Sequence, residues 1–84
     1  MQSPIKEIRD QLNLSQQKMT EMSGVSQGHI SGIERGFSAP YSKLLNFLES
    51  IHFDIQDIKN KQVKFMEQHK KENLDLVKNL TENN

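Results

Sequence analysis

Residues 14–36 read LSQQKMTEMSGVSQGHISGIERG, and the fold turns on how this stretch is read. It holds two short helical patterns on either side of a glycine-centred break. Ser15 precedes the first and Ser26 the second, each placed to accept a hydrogen bond from a free N–H of the opening turn. Met19 is the central apolar residue of the first helix, with Met22 at the edge of the core. Ile30 and Ile33 turn one face of the second helix inward. Gly24 supplies the turn, Val25 plugs it, and Gly36 stops the second helix where a positive φ costs glycine nothing.

Upstream, Ser3-Pro4 is an N-cap followed by proline at the first helical position, where the missing N–H does no harm. Ile5, Ile8 and Leu12 recur at helical spacing and Asn13 suits a left-handed end, so a supporting helix is expected over residues 4–12. Downstream, residues 37–40 form a loop closed by Pro40. Leu44, Leu45, Phe47, Leu48 and Ile51 make the densest apolar stripe in the chain and predict a helix at the centre of the core. Ile55 and Ile58, after a capping Asp54, predict a short fifth helix.

From about Lys61 the composition changes. The segment KQVKFMEQHKKENLDLVKNLTENN has neither glycine nor proline and mixes charges at helical spacing. Val63, Met66, Leu74 and Val77 share one face, with Leu80 beside it, although Lys70 and Asn73 interrupt the stripe. Either this is a solvated terminal helix or it joins two copies of the chain. Self-association is preferred, because Leu74, Val77 and Leu80 have no place in a five-helix core. The expected organisation is a domain over residues 1–60 and a helical tail over 61–84.

A chain of 84 residues supports one domain with a limited core. With 33% hydrophobic and 26% charged residues, a soluble protein is expected, with oligomerisation as a route to more buried surface. Cysteine is absent, so disulfides and thiolate metal sites are excluded. The N-terminal MQSPIKEIRD has no signal-like apolar core, and no run of about 18 apolar residues exists, which points to the cytoplasm and no membrane span. His29, His52 and His69 are scattered, and Glu67 and Glu72 beside His69 make a poor metal signature, so no metal is expected. There is no Ser/His/Asp arrangement, HExxH pair or glycine-rich phosphate loop, so neither an enzyme nor a cofactor is expected.

Net charge is zero. Residues 1–60 carry six Lys/Arg against seven Asp/Glu, and residues 61–84 carry five Lys against four acids. Nucleic-acid binders usually show a basic excess, because phosphate neutralisation supplies much of their affinity. A binder of this composition must use a local positive face or dimerisation.

Several motifs in one order carry a family resemblance: Leu14-Ser15-Gln16, Gly24-Val25-Ser26, Ile30-Ser31-x-Ile33-Glu34-x-Gly36, Pro40, and the Leu44/Leu45/Leu48 helix. From Ile5 to Ile58 the chain resembles the helix-turn-helix domain of the phage repressor and Cro type, also called the xenobiotic-response-element family. The resemblance implies an all-α, five-helix domain, here with an additional C-terminal helix. Its second and third helices would form the DNA-reading pair, the third in the major groove.

The same resemblance implies roles for single residues. Gln16 would grip a phosphate and brace the reading helix. Gln27 would pair with the adenine edge, and Gly28, Ser31 and Gly32 would hold the other groove-facing positions. Arg35 and Ser38 fall where the family contacts phosphate, and Arg9 and Glu34 match a structural ion pair. His29 stands at a position for a phosphate or base contact, or is exposed without a role. Thr20 and Ser23 replace residues that are usually apolar, and the hydroxyl of Thr20 is tolerable if it bonds back to its own helix.

Two functions follow as expectations. The first is a sequence-specific transcriptional regulator, a repressor that binds double-stranded DNA as a homodimer on a two-fold-related operator. The alternative is an adaptor of the same fold (an antirepressor, antitoxin or inhibitor) that binds a regulatory protein partner instead. Zero net charge and two glycines on the reading helix favour the alternative, whereas Gln16 and Gln27 favour the first.

Overall fold

The structure, a computed structural model, describes the backbone of residues 2–82 and the side chains of residues 2–70. The fold is all-α: α1 is Pro4–Gln11, α2 Gln16–Ser23, α3 Gln27–Glu34, α4 Ser42–Ser50 and α5 Ile55–Glu82. Among the described residues no helix is long and apolar enough to cross a membrane.

Local chemistry sets most of the boundaries. Ser3, Ser15 and Ser26 each accept a backbone N–H three residues on, at 3.4, 3.0 and 3.2 Å, and Asp54 does the same for α5 at 3.2 Å. The C-terminal ends of α1, α3 and α4 share one device. Asn13 (φ 56°), Gly36 (φ 82°) and His52 (φ 73°) are left-handed. Just after them the N–H groups of Leu14, Phe37 and Phe53 return to the carbonyls of Arg9, Gly32 and Leu48, which satisfies the last turns. α2 stops at Gly24, where φ is 75° and an added Cβ would lie 2.9 Å from the Lys43 side chain.

The core consists of Ile5, Ile8, Met19, Val25, Ile30, Ile33, Leu44, Leu48 and Ile58. Each fully buried aliphatic side chain contributes about 1.5–3 kcal/mol. α3 packs on α1 and α2, while α4 packs on α2 and α5. α3 is therefore held from behind by two helices, and its other side is left to solvent. Leu12, expected to face inward, ends α1 and is 39% exposed.

Two expectations change. The short helix predicted at Ile55 and Ile58 is the beginning of one 28-residue helix, and the additional C-terminal segment continues it without a break. A change in composition near residue 60 does not interrupt a hydrogen-bond ladder; a proline, which lacks the N–H, would, and α5 contains none. The second concerns the tight contact of α2 with α3. Thr20 Oγ1 is buried without a partner, so it does not bond back to its helix. Ser23 does so instead, donating to the Met19 carbonyl at 2.7 Å and accepting from Val25 N at 3.2 Å.

Candidate nucleic-acid interface

The geometry begins with the anchoring of α3. Ile30 and Ile33 are fully buried on one side. At the end of the helix, Arg9 of α1 grips Glu34 in a two-pronged pair, Nε to Oε2 at 3.0 Å and Nη2 to Oε1 at 2.9 Å. The third arm of Arg9 donates to the Leu14 carbonyl at 2.8 Å, tying α1, the start of the helix pair and α3 together. The hydrogen bond to Glu34 raises the Arg9 guanidinium above its ordinary value, with burial opposing it. Both side chains are largely buried, so the pair belongs to the architecture.

The opposite side of α3 is sparse. Gln27 and Arg35 are exposed and Ser31 is half-buried; at intervals of four residues they form one column on the helix. Gly28 and Gly32 form the neighbouring column. Nothing lies within 4 Å of a Cβ built on Gly28, while one on Gly32 would meet Ser38 Oγ at 3.4 Å. The glycines therefore keep a strip of backbone uncovered, and packing inside the molecule does not demand them. Gln16 is half-buried at the first position of α2. Its helix and α3 both open with serine caps, and the free N–H groups of such turns suit phosphate.

His29 is drawn away from this strip. Its ring stacks on Tyr41 with centroids 3.6 Å apart and planes 9° from parallel, and its Nε2 is buried without a partner. Burial lowers its pKa, which favours the neutral ring. Arg35 lies over the ring of Phe37 at 4.8 Å, beside the loop that carries Ser38.

Sequence reasoning missed the residues that hold this loop from behind. Gln62 of α5 is 1% exposed and donates through Nε2 to the carbonyls of Ile33, at 3.1 Å, and Ser38, at 3.0 Å. His69 lies edge-on to Phe37, and its Cβ and Cγ would be 3.0 Å from a Cβ on Gly36. A signal was present: continuing the Ile55 and Ile58 stripe at helical spacing leads through Gln62 to His69.

Of the proposed association residues, Val63 is 55% exposed and Met66 half-buried. They line a shallow groove with Ala39, Pro40, Lys59 and Gln62. Leu74, Val77 and Leu80 lie outside the residues whose side chains are described.

A helix-turn-helix family model matches residues 5–50, more than half of the chain. The protein belongs to this phage repressor/Cro-type helix-turn-helix family, whose members are DNA-binding regulatory domains rather than enzymes. The match ends with α4, so α5 lies beyond it. No curated protein and no solved structure gives a significant match.

Proposed function

We propose that this chain is a sequence-specific transcriptional repressor that binds a two-fold-related operator as a homodimer, with α3 in the major groove. The observation that carries the reading is the outward strip of α3. Gln27, Ser31 and Arg35 stand beside glycines that leave the backbone open, on a helix anchored firmly from the other side. Gln27 offers both a donor and an acceptor and so matches the adenine edge. The open backbone at Gly28 and Gly32 admits close approach to the base edges. Gln16, Arg35 and Ser38 hold phosphates on either side and fix the register, which base contacts then read. Repression follows from occlusion of a promoter by the bound dimer.

Dimerisation through α5 supplies the second half-site, about 34–36 Å away along the duplex. It also doubles the number of phosphate contacts, which matters for a chain of zero net charge. Val63, Met66, Leu74, Val77 and Leu80 are the residues assigned to it. Val63→Glu, at a site already 55% exposed, should yield a folded monomer in sedimentation. A dimer that persists removes Val63 from the interface.

The adaptor reading is favoured by the charge balance and by the absence of any long side chain at Gly28 and Gly32. A salt titration on duplex DNA separates the two. A repressor loses affinity steeply as salt rises, because bound phosphates release counterions. An adaptor binds no duplex even at low salt.

A further inference from the structure

We propose that Gln62 is a positioning residue for DNA: from α5 it sets the end of α3 and the Ser38 loop at the height where they meet the phosphate backbone. The proposal rests on the DNA-binding reading above and adds to it a residue outside the matched helix-turn-helix segment.

The argument starts from the economy of the side chain. Gln62 is almost fully buried in a helix rich in charge, at a position where leucine or methionine would fill the same space. Its Oε1 is buried without a partner, so burial of the carboxamide is not fully compensated. What the amide does provide is two N–H groups on one nitrogen. Both go to carbonyls that belong to different pieces of structure, Ile33 within α3 and Ser38 beyond it. The Ile33 oxygen already receives the N–H of Gly36, and Gln62 takes its second lone pair. Neither glutamate, which has no donor, nor an apolar residue can make this bridge.

The bridged segment is the part of the molecule that faces the phosphate in the proposed complex. Ser38 is fixed through its carbonyl, and its hydroxyl lies at the Gly32 edge of the outward strip. Arg35 precedes it, stacked on Phe37, and His69 of the same α5 presses on Gly36 between them. A loop held at two points from behind keeps its orientation when a ligand arrives, and less ordering entropy is then lost on binding. The unused partner-less oxygen fits a residue retained for geometry more than for stability.

The test uses the full chain and the duplex recovered by selection from a random pool. Gln62→Met keeps volume and helix preference while removing both hydrogen bonds. It should fold with a thermal midpoint close to the parent's and bind that duplex about tenfold more weakly. Ser38→Ala should weaken the parent and add little to Gln62→Met, because the unbridged loop no longer presents its hydroxyl. A purely structural role would give independent, additive losses. In the parent chain the Gln62 carboxamide protons should exchange slowly with water, a measurement that stands even if the variant fails to fold. Unchanged affinity of a folded Gln62→Met, additive losses, or fast carboxamide exchange would overturn the proposal. If the parent chain binds no duplex at all, the DNA-binding reading itself fails and takes this one with it.

Discussion

The two faces of α3 are built in opposite ways. The inner face is specified several times over: Ile30 and Ile33 are fully buried, Glu34 is clamped by Arg9, and Gln62 holds the closing turn. The outer face has two glycines, a serine and the exposed Gln27 and Arg35. The contrast separates two tasks. Orientation is determined from behind, by packing and charge, which leaves the front free to be chosen by what it touches.

Breaking the inner face should have the largest effect. Arg9→Ala leaves Glu34 buried without its partner and should cost about 3–5 kcal/mol of stability in urea unfolding. Replacing both members, Arg9→Met with Glu34→Leu, should recover most of the loss, because well-packed apolar residues can replace a buried pair. Stability unchanged in the single variant would mean that the pair does not anchor α3.

On the outer face, the polar side chains should respond in affinity and not in folding. Gln27→Ala should lower affinity for the selected duplex by about 1–3 kcal/mol and relax preference at one base position, with the unfolding curve unmoved. Gly28→Ala divides the faces more finely. Open space around its Cβ means that alanine should raise stability by about 0.5–1 kcal/mol through helix preference. If the backbone there meets DNA closely, the same methyl should weaken binding. A more stable variant with full affinity would show a surface under no demand.

His29, stacked on Tyr41 away from the strip, supplies the smallest effect. Burial lowers its pKa, so the unfolded chain takes up a proton first as pH falls. The contribution of the neutral His29–Tyr41 stack is complete above about pH 6.5 and declines as pH drops through that value toward the lower folded-state one. His29→Gln should flatten this part of a stability–pH profile measured by thermal unfolding.

The legibility of these features in the sequence follows their range. The serine caps, the Gly24 and Gly36 turns and the left-handed Asn13 are products of a few adjacent residues, and all were visible. The core of Ile5, Ile8, Met19, Ile30, Ile33, Leu44 and Leu48 was visible as helical periodicity. Gln62 was hidden because a buried polar residue interrupts an apolar stripe and looks like its end. The His29–Tyr41 stack joins two elements across a loop, and no spacing rule predicts such a contact. The apolar stripe of α5 that the sequence displays runs through Val63 and Met66, while the register that reaches the end of α3 and its loop runs through Gln62 and His69.

The central claim is that the open strip on the front of α3 reads DNA. Selection of bound sequences from a random duplex pool, repeated with Gln27→Ala, tests it most directly. The parent chain should recover a palindrome with half-sites about one helical turn apart, and Gln27→Ala should lose an adenine-containing position within each half. Failure of the parent to enrich any sequence, even at low salt, would contradict the claim.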